Sequence, residues 1–95
     1  MGKLSIVIPV FQNELTLREL YNDLKLKVLD RLDEYEIVFV DDGSNDNSWN
    51  IINEIKSLDS NVLAIKLTRN FGEHPAILAG LANCTGDCAI TKQAI

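Results

Sequence analysis

Short apolar runs alternate along this chain with longer segments whose apolar residues recur every three or four positions. Leu4-Ser5-Ile6-Val7-Ile8 is rich in β-branched side chains and stops at Pro9, the pattern of a buried strand. From residue 14 to about 31, Leu17, Leu20, Tyr21, Leu24 and Val28 fall on one helical face. Asn13 is placed to cap that helix, and Glu14 and Glu19 sit near the positive end of its dipole. Residues 36–40, Glu-Ile-Val-Phe-Val, predict a second strand, cut off by Asp41-Asp42-Gly43-Ser44. A second helix is expected over 46–58, capped by Ser44 or Asp46, with Trp49, Ile51, Ile52 and Ile55 turned inward. Residues 62–67 predict a third strand. Residues 73–84 predict a third helix, with Pro75 tolerated in its first turn and Gly86 just past its end. A fourth strand is expected to begin at 88–91.

Strands separated by helical crossovers of this length pair in parallel through right-handed connections. The fold class is therefore α/β: an open, mainly parallel sheet with Rossmann-like β/α alternation and helices on both faces. Ligands in such sheets bind outside the carboxyl ends of the strands, where the strand order reverses. The loops to watch are 9–14, 41–44, 68–72 and whatever follows Thr91.

Length and charge narrow the partners. Ninety-five residues fit one domain, 1–95, and the chain shows no repeat or linker. With 9 Lys+Arg against 14 Asp+Glu the net charge is −5, which argues against a general nucleic-acid binder. No apolar run approaches the roughly 18 residues of a membrane helix. The first residues do not read as a signal peptide, so a cytoplasmic location is expected. Cys84 and Cys88 lack companions at zinc spacing and read as buried thiols, one on a helix and one on a strand.

The loop chemistry is more informative. Neither GxGxxG nor GxxxxGK[ST] occurs, so the usual phosphate cradles are missing. Asp42-Gly43-Ser44-Asn45-Asp46 fails as a calcium loop, since its glycine falls in the second position instead of the sixth. The pair Asp41-Asp42 stands out. Two carboxylates directly after an apolar strand are costly to desolvate without a partner, and capping requires only one of the acidic or hydroxyl groups here. A ligand with donors to satisfy, such as a nucleobase N–H or ribose hydroxyls, fits the excess. Phe11 reads as a base-stacking platform or a core aromatic, Glu14 as a helix-start carboxylate, and Arg69 with Asn70 as contacts for an anionic diphosphate or, for Arg69, a solvated strand-end residue.

Taken together, three motifs resemble the N-terminal half of the family 2 inverting glycosyltransferases, which have the GT-A fold. These are Ile8-Pro9-Val10-Phe11-Gln12-Asn13-Glu14, Val40-Asp41-Asp42-Gly43-Ser44 and Leu67-Thr68-Arg69-Asn70-Phe71-Gly72. The last, with Ala76-Ile77-Leu78-Ala79-Gly80-Leu81 behind it, is similar to the branch that glycosylates polyprenyl phosphates, the dolichol-phosphate mannose synthase type. The resemblance implies a nucleotide-sugar donor, UDP- or GDP-linked. It implies that Pro9, Val10, Phe11 and Glu14 line the nucleotide pocket and that Asp41 and Asp42 contact base and ribose. Arg69 and Gly72 would lie near the base or the diphosphate, and a polyprenyl phosphate would be the acceptor. For the complete family enzyme it also implies Mg2+ or Mn2+, held by an Asp-x-Asp motif after the fourth strand.

The chain departs from that pattern at the motif itself. Gln93 and Ile95 stand where the two aspartates are expected, and neither supplies an anionic ligand for a hard cation. No catalytic residue and no metal ligand is therefore assigned. The 95 residues are expected to hold the donor and to transfer no sugar alone, the catalytic base and acceptor site lying further on in the family. An uncovered fourth strand with Cys88, Ile90 and Ile95 is expected to support homo-oligomers through the sheet edge. In a longer parent the domain would work at the inner face of a membrane. Two other readings are a non-catalytic nucleotide-binding or interaction module and a receiver-type signalling domain. The second wants a lone acceptor aspartate after the third strand, where this chain has Thr68-Arg69-Asn70.

Overall fold

The computed structural model describes residues 2–94. Four strands, β1 (Leu4–Val10), β2 (Tyr35–Asp41), β3 (Val62–Lys66) and β4 (Cys88–Thr91), form one sheet in the order β3-β2-β1-β4, with every pair parallel. Helices α1 (Leu17–Lys27) and α2 (Ser48–Leu58) cover one face, and α3 (Glu73–Asn83) covers the other. The α/β class with a parallel sheet is as the apolar pattern predicts.

Alternation along the strands divides the core. Ile6, Ile8, Val10, Ile37 and Phe39 pack beneath α1 and α2 with Leu17, Ile51, Ile52 and Ile55. Val7, Val38 and Val40 point the other way, onto Ala76 of α3. The α3 packing is close because Gly80 faces the sheet. A β-carbon there would collide with Val7 Cγ1 and stand 3.1 Å from Val40 Cγ2.

Element ends differ from the sequence expectation for local reasons. β1 runs through Pro9 to Val10 instead of stopping at Ile8. The missing proline N–H would face β4, whose pairing has already ended at Val7↔Thr91, so no ladder bond is lost. α1 begins at Leu17, not at Glu14, with Thr16 as its N-cap. Asn13 does not cap it, because its Oδ1 accepts from Phe11 N at 2.8 Å instead. After α1 the chain makes a separate 3₁₀ turn, Leu29–Arg31, so the expected single helix to residue 31 is broken. α2 begins at Ser48, with Asn47 as the capping residue, while Asp46 Oδ1 accepts from Ser48 N at 2.9 Å. Cys84 is half-buried, and the side chain of Cys88 lies outside the described residues, as does Ile95.

Two buried carboxylates tie the amino ends of the strands together. Glu36 Oε2 accepts from Ser5 Oγ at 2.5 Å, from Gly86 N at 3.2 Å and from Thr85 N, fixing the entry into β4. Burial pushes the Glu36 carboxyl up. Its donors and the nearby Lys3 outweigh that and hold it below the usual carboxylate range. Asp59, just past α2, accepts from Tyr21 Oη at 2.6 Å and Tyr35 Oη at 2.8 Å, linking α1 and β2. Burial, followed by the contact with Asp59, pushes the Tyr21 phenol up.

Candidate functional site

The chain steps outward from β1 to β2 to β3, then crosses back to lay β4 on the far side of β1. The strand order thus reverses between β1 and β4, and a crevice at their carboxyl ends is the expected ligand position. A cavity of about 360 Å³ opens there. It draws Pro9, Val10, Phe11 and Asn13 from the end of β1 and Asp42 from the end of β2. Asn70, Gly72 and Glu73 come from the β3–α3 loop, and Gln93 and Ala94 follow β4. A larger cavity of about 540 Å³ runs along α1, lined by Glu19, Leu20, Asp23 and Leu24 among others, away from the ends of β2 and β3. The convergence of four chain segments on the smaller one marks it as the functional candidate.

Two adjoining loops are laced together to form one wall. Gln12 N donates to Ser44 Oγ at 2.9 Å, and Gln12 Oε1 accepts from Asn45 N at 2.8 Å and Asp46 N at 3.2 Å. Asn13 N donates to Ser48 Oγ at 2.9 Å, and Glu14 N to Asp46 Oδ2 at 3.2 Å. Gln12 adopts φ +55, a left-handed conformation costly for a residue with a side chain, and the lacing holds it there.

Asp42 organises the opposite wall. Its Oδ1 accepts from Phe71 N at 2.8 Å and its Oδ2 from Gly72 N at 3.0 Å. Gly43 lets the same loop come close, since a β-carbon there would stand 2.5 Å from Asn70 N and 2.6 Å from the Arg69 carbonyl carbon. Its φ of +76 is itself a glycine conformation. On the outer side of this loop the Arg69 guanidinium lies 4.6 Å from the centre of the Phe71 ring.

Of the residues predicted from sequence, Pro9, Val10, Phe11, Asp42 and Gly72 are brought together around the cavity. Phe11 stands at its rim, 44% exposed. Glu14, Asp41 and Arg69 are outside the lining. Asp41 is fully buried, and its alternation with Ile37 and Phe39 turns it toward the α1–α2 face. There Oδ1 accepts from Ser44 N at 3.3 Å, and Oδ2 has no hydrogen-bond partner among the described residues. Asn70, which the sequence offers beside Arg69 as an anion contact, reaches the lining, whereas the sequence pattern assigns no site role to Gln12, Glu73 or Ala94. The left-handed backbone at Gln12 has no sequence signal, and Glu73 was read only as a helix start.

The donor set after β4 does not suit a hard divalent cation. Gln93 is neutral, and its Nε2 is already donating to Glu73 Oε1 at 3.0 Å, which turns N–H groups toward that carboxylate. Asp42 accepts one backbone N–H on each oxygen, and among the described residues no three acidic, His or Cys side chains come together around it. No helix of the described residues is long and apolar enough to cross a membrane.

A parallel sheet of reversing order with an acidic turn at the crevice defines an open α/β domain with its candidate site at the carboxyl ends of the strands. The sequence profile of glycosyl transferase family 2 matches residues 5–91, and the chain belongs to that family. It is 45% identical over 91 residues to the undecaprenyl-phosphate 4-deoxy-4-formamido-L-arabinose transferase of Pseudomonas fluorescens SBW25. That match takes in 95% of this chain and 27% of the relative, so the chain spans under a third of that protein's length. The polyprenyl-phosphate branch indicated by the Arg69–Gly72 motif is thus represented among its relatives. Staphylococcus aureus TarS 1–349 in complex with UDP-GlcNAc superimposes with a TM-score of 0.82 at 25% identity, over 97% of this chain and 26% of that one. The mannosyltransferase PcManGT from Pyrobaculum calidifontis, in complex with GDP-Man and Mn2+, shares the fold with a TM-score of 0.79 at 18% identity, over 98% and 27%.

Proposed function

We propose that this chain is the donor-binding unit of a transferase that moves a sugar from a UDP- or GDP-linked donor to a polyprenyl phosphate. The observation that carries the reading is the cavity at the point of strand reversal, walled by the Gln12–Glu14 lacing and the Asp42-held loop. The family, the relative that acts on undecaprenyl phosphate and the UDP-GlcNAc complex of TarS support it. Phe11 at the rim offers a face for a base to stack on, and Asp42 is the carboxylate of the acidic pair that reaches the lining. Asp41 supports the turn from beneath. Arg69, exposed on the β3–α3 loop and outside the lining, is kept as the cation for the diphosphate on the strength of the family motif alone.

The reaction assigned to the complete enzyme is direct displacement at the anomeric carbon. A phosphate acceptor is already anionic and needs no base to become a nucleophile. These residues do not suit the cation, and no step is built on it. The chain itself is expected to bind nucleotide and transfer nothing, at the cytoplasmic face of a membrane in a longer parent.

Calorimetric titration of the purified chain with UDP and GDP tests the reading. Binding of one of them with a dissociation constant below about 1 mM is expected, while inorganic diphosphate alone gives no saturable heat. Absence of binding by both nucleotides overturns the proposal, and turnover of a nucleotide sugar by this chain overturns the assignment of a binding role only. Self-association belongs to the same reading and rests on Ile90 of β4, 48% exposed beside an unpaired strand edge among the described residues. Light scattering at rising concentration should show mass above that of a 10.6 kDa monomer.

A further inference from the structure

We infer that Asp42 is a positioning residue, acting on the bound nucleotide through the β3–α3 loop in addition to any contact of its own. The inference rests on the nucleotide-binding reading and concerns how that site is built. Asp42 is 4% exposed, yet it lines the cavity. Each of its two oxygens receives one backbone N–H from consecutive residues, Phe71 and Gly72, 29 and 30 positions away in the chain. A carboxylate held in this bidentate way fixes both the distance and the tilt of the peptide it grips.

What it grips is the far wall. Asn70, Gly72 and Glu73 line the cavity, and Gly72 is the N-cap of α3, so the grip also sets where that helix starts. Gly43 beneath Asn70 provides the space for the close approach, but a glycine attracts nothing. Among the described contacts of this loop, the Asp42 carboxylate is the group that draws it down. The Arg69–Phe71 stack then rides on a backbone whose position Asp42 has set. Charge at the end of β2 therefore serves the protein's own loop before it serves a ligand, and each oxygen keeps a second lone pair for a ligand donor.

The test is Asp42→Asn in the 95-residue chain, read by amide hydrogen exchange without nucleotide and by UDP and GDP titration. The amide offers one acceptor oxygen and points an NH2 at the other backbone N–H, so one grip becomes a donor–donor contact. Exchange at Phe71 or Gly72 should rise at least tenfold in the free protein. The sheet amides of Asp42 and Leu67, bonded to Val10 O and Asp41 O, should keep their protection and show that the fold persists. The better of the two nucleotides should bind at least tenfold more weakly, and its saturation should restore protection at Phe71 and Gly72. Unchanged exchange with weakened binding overturns the inference, leaving a direct contact alone. Loosened amides with unchanged affinity overturn it too, leaving a role in stability alone. Phe71→Ala, which keeps the N–H and removes the stack, should leave the loop amides protected; their loss would transfer the positioning role to the ring. Failure of the unsubstituted chain to bind either nucleotide is a different result, and it strikes the functional reading instead.

Discussion

Replacing Glu36 by alanine is expected to lower the unfolding free energy by about 3 kcal/mol. The side chain is 7% exposed and gathers four donors from two distant segments: the Ser5 and Thr85 hydroxyls and the backbone N–H groups of Thr85 and Gly86. Alanine removes this acceptor from all four: Gly86 N keeps Ser5 Oγ at 2.9 Å, but the Thr85 N–H is a backbone group and cannot rotate away to find another. For a chain of this size that loss corresponds to a melting temperature lower by about 15 °C. The carboxylate also gives the protein an acid limb. Its folded pKa lies below its unfolded value, so its contribution is complete above the unfolded glutamate pKa of about 4.3 and disappears as pH falls through the lower folded value. Glu36→Gln should flatten stability against pH in that window, and thermal melts between pH 3 and 6 measure it. A loss below 1 kcal/mol for the alanine variant would mean that water enters and replaces the carboxylate.

Gly43→Ala should cost a similar amount, about 3 kcal/mol, and should also disable the cavity. Two independent penalties add. The backbone at +76 is one that side chains avoid, and the new methyl would stand against main-chain atoms of Arg69 and Asn70, which have no rotamer to escape into. The loop can yield only by moving off Asp42, which breaks the wall that lines the cavity. Nucleotide affinity is expected to fall at least tenfold, read by the same titration, together with the lower melting temperature. A variant that loses stability but keeps affinity would place the strain in the turn and not in the loop above it.

The layered fold was legible because its signals are local. Runs such as Ile6-Val7-Ile8 and Ile37-Val38-Phe39-Val40 announce buried strands, and the periodic Ile51, Ile52 and Ile55 announce a helix face. Element ends were read less well wherever a polar side chain had two uses. Asn13 looks like a helix cap by type and place, but its oxygen is spent on Phe11 N, and nothing in a linear pattern decides between the two. The acidic pair shows the same limit at the site. Adjacent strand residues point to opposite faces, and Asp41, the last residue of β2, turns with Ile37 and Phe39 toward the α1–α2 side while Asp42 follows the strand. Asp41 belongs to the buried side and Asp42 to the cavity. The partners of Asp42 are backbone N–H groups, which carry no residue identity, so its grip on the loop had no sequence signature at all. Gly43 was readable as a turn glycine, whereas the close approach of Arg69 and Asn70 was not.

The order of the strands also sets the order of assembly. β1, β2 and β3 are sequence neighbours and can zip together across short closures, each bridged by its own helix. β4 must instead find β1 from the other end of the chain, and the bond from Lys3 N to Asp87 that flanks their pairing spans 84 residues. Contacts of such long range carry the largest closure entropy and form late on the way to the native state. Gln93 and Ala94 reach the cavity only once β4 is seated, so the pocket is complete only when this long-range pairing has formed.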